Sequence, residues 1–241
     1  CHKNTTIMHL FYAPALKSDR HQLSQDESRH CIKVLRLGIG DHVHLTDGKG
    51  GLHQARIVDD HPAKCIVEIE STQHGYGKRP FHLHIAIAPT KNIKRFEWFL
   101  EKCTEIGIDE ITPLRCFHSE RKYLKIERMD RVVVSAMKQS LKAYHPRVND
   151  MLSFGEFVSK PVKASSYIAY CEKDGTQQLK EAYVPSDNAI ILIGPEGDFS
   201  PEEVELAKSH GYLPVSLGKS RLRTETAGVV ACHSINLLNG V

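Results

Sequence analysis

The chain has 241 residues, of which 41% are hydrophobic and 25% charged, with a net charge of only +3. These values describe an ordinary globular protein of one large domain or two modest ones. No apolar run reaches the roughly eighteen residues a membrane-spanning helix requires, which excludes that class of protein.

Charge is unevenly placed. Residues 76–150 carry fifteen basic and nine acidic side chains, whereas residues 151–241 carry eight and eleven. A basic middle third suits a phosphate-rich partner. The seven cysteines, at 1, 31, 65, 103, 116, 171 and 232, form no CxxC pair, the usage expected of reduced thiols in a cytoplasmic protein. The opening CHKNTTI is polar, has no apolar signal core and looks unlike the start of a fold. Met8 is therefore expected to be the natural start, behind a seven-residue extension.

The first predicted element is a helix in LSQDESRHCIKVLRLGIGD. Ser24 and Glu27 form a capping box, Gly38 stops the last turn, and Ile32, Val34 and Leu35 supply an apolar side. Arg29, Lys33 and Arg36, spaced four and three apart, make a cationic stripe on another face. Strands follow at His42–Thr46, Leu52–Val58 and Lys64–Glu70, separated by the turns DGKGG and DDHP. A small β-rich domain over 8–73 is expected, then a polar, glycine-rich linker at 74–80.

From residue 81 onward, strand and helix alternate. FHLHIAIAP is an apolar strand, and Ile93, Phe96, Leu100, Cys103 and Ile106 form a helical stripe ended by Gly107. IDEITPL is a strand, 127–143 a helix stopping before Pro146, and SSYIAYC and NAIILIG further strands. Ser200, Pro201 and Glu203 begin a helix with cap, first-turn proline and capping-box acid in order, and Gly211 stops it. Alternation of this kind predicts a parallel sheet with helices on both faces.

Two apolar runs, Ala189–Ile193 and Leu213–Leu217, each end in a glycine-containing turn before a helix. The first turn, GPEGDFS, lacks both the Gly-Lys-Ser/Thr ending of a P-loop and the GxGxxG of a dinucleotide site. Glu196 and Asp198 would repel a phosphate at a helix N-terminus, and Pro195 removes an amide donor. A ligand with positive character and a flat base fits better, and S-adenosylmethionine has both. The second turn, LGKSRLRTETAG, sets Lys219, Arg221 and Arg223 beside Glu225. Loops after strand C-termini in an α/β sheet are where ligands bind.

LIGPEGDFSPEE together with LGKSRLRTETA resembles the cofactor-binding motifs of the SPOUT methyltransferases, specifically the RsmE family of 16S rRNA uridine-N3 methyltransferases. HCIKVLRLGIGDHVHLTDGKG is similar to that family's N-terminal PUA-like RNA-binding domain. EKCTEIGIDEITPL, SERKYLK and MKQSLKAYHPRV match its middle motifs in order. The resemblance spans Met8 to the C-terminus. It implies a trefoil-knotted α/β domain over 81–241 behind a small β-barrel domain, S-adenosylmethionine as cofactor, a homodimer packed through Val229, Val230, Ile235 and Leu238, and 16S rRNA of the 30S subunit as partner.

The resemblance also implies site residues. Ile193, Gly194, Glu196, Gly197, Leu217, Gly218, Leu222 and Thr224 belong to the cofactor pocket. Arg223 stabilises the uracil anion or a phosphate, and Glu225 is either the base or the orienter of Arg223. Arg29, Lys33, Arg36, Lys138 and Lys142 contact RNA. This sequence departs from the family at three points. Ser220 stands where arginine usually follows LGx, with Arg221 one place later. Lys142 replaces the arginine that often closes the Q-S-x-R motif, and GPEGD replaces GPEGG. An arginine fork and a lysine ammonium differ as phosphate contacts.

Methyl transfer to uridine N3 requires loss of the N3 proton and an unpaired or extruded base. The pairs His42/His44 and His82/His84 lack cysteine or carboxylate partners at ligand spacing, so no metal site is expected. Two rival functions remain: a non-catalytic RNA-binding or ribosome-assembly protein with a degenerate knot, and a nucleotide-binding α/β enzyme. The missing phosphate-loop lysine disfavours the second.

Overall fold

The computed structural model describes residues 8–170 and 176–241. The expected N-terminal extension, Cys1 and Cys171 lie outside the described residues. By its contacts the chain divides into one unit of 8–78 with 137–145, and a second of 79–136 with 146–241.

The first unit contains β1 (Leu10–Tyr12), β2 (Arg20–Gln22), α1 (Gln25–Arg29), a π-helical turn (His30–Val34), β3 (His42–Thr46), β4 (Leu52–Asp59) and β5 (Ile66–Gln73). Its mixed sheet runs β1-β3-β4-β5-β2, with β1 parallel to β3 and the other pairs antiparallel. Irregular register at Gln54/Ala55 and Ile57/Asp59 curls β4 around a core of Phe11, Leu23, Val43, Leu45, Ile57 and Val67. The segment 137–145 closes this unit: the Gly50 amide donates to the Ala143 carbonyl, and the Thr46 hydroxyl does the same.

The predicted first helix is shorter than expected. Ser24 caps it by accepting from the Glu27 amide at 3.2 Å, but the Glu27 carboxylate turns to Lys138 instead of completing the box. After five α-helical residues the hydrogen bonding widens, Leu35 N–H reaching the His30 carbonyl. The wider turn shifts the helical phase, so Val34, expected on the apolar side, is 64% exposed. Arg36 then adopts a left-handed φ of 58°, ending the helix before Gly38.

The second unit comprises β6 (Leu83–Ile87), α2 (Ile93–Ile106), β7 (Glu110–Arg115), α3 (Ile126–Gln139, its last turn counted with the first unit), β8 (Arg147–Val148), β9 (Leu152–Ser153), α4 (Phe154–Val158), β10 (Ser165–Ala169), α5 (Leu179–Ala182), β11 (Ala189–Ile193), α6 (Pro201–Ser209), β12 (Leu213–Val215) and α7 (Thr224–Leu238). The sheet is parallel, ordered β12-β10-β11-β6-β7-β8, with β9 also on β7. Leu141, at φ 55°, ends α3 short of the predicted residue 143. The short elements β1, β2, β8, β9, α4 and α5 were not predicted.

Strand alternation builds two cores. Leu83, Ile85, Ile87, Ile191 and Ile193 face α2 and α7, while Ala86, Leu192 and Ile168 face α4 and α6. α2 begins on Asn92, whose side chain accepts from the Lys94 amide, and stops at Gly107. α6 has its full capping box on Ser200 and Glu203 with Pro201 in the first turn, a device worth about 1 kcal/mol. α7 returns from the sheet edge at β12 to lie against α2, β6 and β11. That return path belongs to the expected knotted class, an exception to unknotted connections. The approach is close: a Cβ on Gly228 would sit 2.5 Å from the Phe99 ring, so only glycine fits there.

Candidate functional site

Because β10, β11 and β12 are parallel neighbours, their C-terminal ends open on the same edge of the sheet. A cavity of about 370 Å³ occupies that edge. Ile193, Gly194, Glu196, Leu217, Gly218, Leu222 and Thr224 line it, so seven of the eight residues expected around the cofactor converge on one space. The eighth, Gly197, packs instead against His118, where a Cβ would lie 3.0 Å from the His118 Cβ.

The turn after β11 is pinned along its length. The Lys91 amide donates to Glu196 Oε1 at 3.0 Å, tying this turn to the loop after β6. His118 Nδ1 lies 3.0 Å from the Asp198 carbonyl, tying it to the loop after β7. Asp198 has φ 65°, and its carboxylate accepts from the Phe199 amide. That backbone explains why glycine is commoner at this position and why aspartate, which tolerates left-handed geometry, can stand in.

The turn after β12 is held at its base by Ser216, whose hydroxyl bonds both the amide and the carbonyl of Gly218. Gly218 has φ 124°. Ser220 and Arg221 both line the cavity, so the arginine displaced by one position still reaches its wall. Arg223 is the exposed N-cap residue of α7 and lies outside the cavity lining. Glu225, one residue into the helix, is buried, with Arg95 Nε 3.8 Å from Oε1 and no hydrogen-bond partner on Oε2. The cation beside Glu225 is thus Arg95 of α2, which the sequence pattern did not single out. Ala169 and Tyr170 were also missed, because only the strand order brings the end of β10 beside the two turns.

In the first unit, Arg29, Lys33 and Arg36 are all exposed. Lys138 is not a bare cation: its ammonium lies 2.7 Å from Glu27 Oε1, and both side chains are mostly buried. Lys142 is partly buried.

The histidine pairs serve the sheets. His84 is buried, its Nε2 2.8 Å from the Thr112 hydroxyl, and burial pushes its pKa down to about 4 despite the nearby Glu110 carboxylate. His42 lies beside Glu70. Among the described residues no group of three or more His, Cys, Asp or Glu is arranged to hold a metal ion. The five described cysteines are free and buried.

A pocket enclosed by two glycine turns and the start of a helix, in a parallel α/β unit, defines a ligand-binding protein of the open-sheet α/β class. An RNA methyltransferase domain model matches residues 77–236, and an RNA methyltransferase PUA domain model matches 23–70. Ribosomal RNA small subunit methyltransferase E of Synechocystis is 35% identical over 226 residues, covering 90% of this chain and 72% of that protein. The crystal structure of a probable rRNA-methyltransferase from Porphyromonas gingivalis matches with a TM-score of 0.90 at 43% identity, over 97% of this chain and 99% of that one. Ribosomal RNA small subunit methyltransferase E of Neisseria gonorrhoeae, solved bound to S-adenosyl methionine, matches with a TM-score of 0.85 at 26% identity, over 96% and 98%. This chain belongs to that family of RNA methyltransferases, the ribosomal RNA small subunit methyltransferase E (RsmE) family.

Proposed function

We propose that this protein transfers a methyl group from S-adenosylmethionine to N3 of one uridine in 16S rRNA, near the decoding centre of the assembled 30S subunit. The cavity carries this proposal. Its volume suits a ligand of that size, and Glu196 and Asp198 on its wall favour a sulfonium over a phosphate. Bound there, S-adenosylmethionine supplies an already activated methyl group.

The chain's own residues have the remaining tasks. Ile193, Gly194, Leu217, Gly218 and Leu222 grip the cofactor, largely through backbone. Arg223 meets the negative charge that develops as N3 loses its proton. Glu225 accepts that proton. A buried carboxylate oxygen without a partner is costly, so Oε2 is poised for one, while Arg95 steadies the other oxygen. Replacing Glu225 with glutamine should cut turnover, with partial recovery at high pH as hydroxide takes the proton. A pH-independent loss would make Glu225 a positioning residue only.

Residues 8–73 act as the PUA-like RNA-binding domain, 74–80 as linker and 81–241 as the methyltransferase. Arg29, Lys33 and Arg36, together with Lys142, contact phosphates, and neutralising the first three should flatten the salt dependence of substrate binding. Lys138 contributes less than the sequence implied, since Glu27 already holds it. The protein works as a cytoplasmic homodimer. Of the four side chains expected at its interface, Ile235 is fully buried in its own core, and Val229 and Leu238 pack partly against that core. This leaves Val230 on the outer face of α7, with the exposed His233 and Leu237, which the sequence pattern did not single out. An active monomer in light scattering would refute the dimer. Mass mapping of 16S rRNA with and without the protein tests the activity itself, and an unchanged uridine methylation pattern would sink it.

A further inference from the structure

Between β7 and α3 the chain makes an exposed loop, Phe117–Lys125, at the same C-terminal edge of the sheet as the cavity. Two large aromatic side chains stand out of it: Phe117 is 78% exposed and Tyr123 71%. Leaving two such rings in water forgoes the favourable burial of large apolar surfaces. Their backbone is nevertheless tied down. Phe117 N–H donates to Glu203 Oε1, the Cys116 amide to the Ser119 hydroxyl, and Ser119 and Leu124 are buried beneath. Arg121 donates from Nε to the Thr90 carbonyl at 3.1 Å and from its terminal nitrogen to the Lys91 carbonyl at 2.6 Å. The rings are therefore presented by a fixed loop.

Charge around them is predominantly positive. Lys122 and Lys125 are exposed within the loop, and Lys94 in the first turn of α2. The acid of the loop, Glu120, is matched by Lys91 at 2.8 Å. The loop also adjoins the cavity, since His118 bonds the carbonyl of Asp198, a residue of the cavity wall.

We propose that Phe117 and Tyr123 form a stacking platform for single-stranded RNA flanking the target nucleotide, with Lys122 and Lys125 on its phosphates. Exposed aromatics interleaved with cations are the chemistry that holds unpaired bases, because every base offers a π-face. An extruded uridine needs its neighbours held while its Watson–Crick edge faces the methyl donor. Arg121 is a positioning residue, fixing the loop through the two carbonyls. This proposal rests on the RNA methyltransferase activity proposed above.

The test uses the full chain with Phe117→Ala, Tyr123→Ala and the double variant. Each single change should lower kcat/KM on small subunits about 5- to 150-fold, the scale of losing one stacked base, mainly through KM. Calorimetric affinity for S-adenosylmethionine and the oligomeric state should not change. Phe117→Trp should keep activity, and its added fluorescence should be quenched by a short uridine-rich single-stranded RNA. A double variant with wild-type kcat/KM overturns the platform, as does a variant that loses activity together with its dimer, which would assign the rings to a second copy of the chain. If the wild-type protein methylates no 16S rRNA, the activity proposal falls. The quenching titration then judges the platform alone: quenching supports it, and its absence overturns it.

Discussion

The two glycine turns that enclose the cavity are built on opposite principles. The turn after β11 is stitched to its surroundings, with Glu196 on the Lys91 amide, the Asp198 carbonyl on His118, and Gly197 in contact with the His118 side chain. The turn after β12 carries Lys219, Ser220, Arg221 and Arg223 as exposed residues and is anchored at its base through Ser216 and Gly218. One turn is a fixed wall, and the other presents charge. The division suits a site that must hold one ligand rigidly while meeting a second, polyanionic one.

The largest effect should come from the charged turn. Arg223→Ala should lower turnover by about two to three orders of magnitude, the usual scale for losing one donor to developing charge. Calorimetric affinity for the cofactor should barely move, because Arg223 lies outside the cavity lining. A parallel loss of cofactor affinity would break the comparison, since the charged turn would then be a cofactor wall as well.

Alanine at the two turn glycines gives the next contrast. At Gly197 the new Cβ meets the His118 Cβ at 3.0 Å, an atom that the backbone holds, so the fixed turn must shift. Cofactor affinity should fall about tenfold, equivalent to 1.4 kcal/mol. At Gly218 the Cβ meets nothing within 4 Å, but φ is 124°. That substitution should appear chiefly as backbone strain of about 1–3 kcal/mol, measured by denaturant unfolding. The reverse pattern would mean that the second turn is the rigid one.

Acid should reach both turns through the sheet that carries them. His84 on β6 has its pKa lowered by burial from 6.5 to about 4. The unfolded chain therefore binds more protons between those values, so stability is fully present above about pH 6.5 and is lost progressively down to pH 4. Thermal unfolding should fall by a few degrees across this window and flatten in His84→Gln. An equally steep decline in that variant would place the acid-sensitive group elsewhere.

Local signals make much of this site legible in the sequence. The cap, proline and acid at Ser200, Pro201 and Glu203 fix where α6 starts, and Gly107 fixes where α2 stops, because such signals act within one helical turn. The two turns could be read because glycine and charge at strand ends have few other uses. What escaped depends on distant partners. Arg95 meets Glu225 across 130 residues, Lys138 meets Glu27 across 111, and Tyr170 joins the cavity through a strand order that no local pattern encodes. The widened helical turn after Arg29 was missed for a related reason. Its sequence has good helical spacing, and tertiary packing overrides propensity.

The smallest effect separates backbone from charge within the fixed turn. Asp198→Gly replaces a left-handed aspartate with the residue best suited to φ 65°, while removing a bond from the Phe199 amide and a carboxylate on the cavity wall. The relief of strain and the lost bond, with the looser unfolded chain, offset one another, so the unfolding temperature should stay within about 2 °C. His118 keeps its partner, which is the Asp198 carbonyl. Any larger consequence must therefore come from the lost charge. A water-exposed carboxylate attracting a cation contributes no more than about 1 kcal/mol, so affinity for S-adenosylmethionine should weaken by about two- to fivefold. The product S-adenosylhomocysteine, which lacks the sulfonium charge, should bind the variant and the wild type equally. If both ligands weaken together, Asp198 shapes the turn and its charge is incidental to the sulfonium.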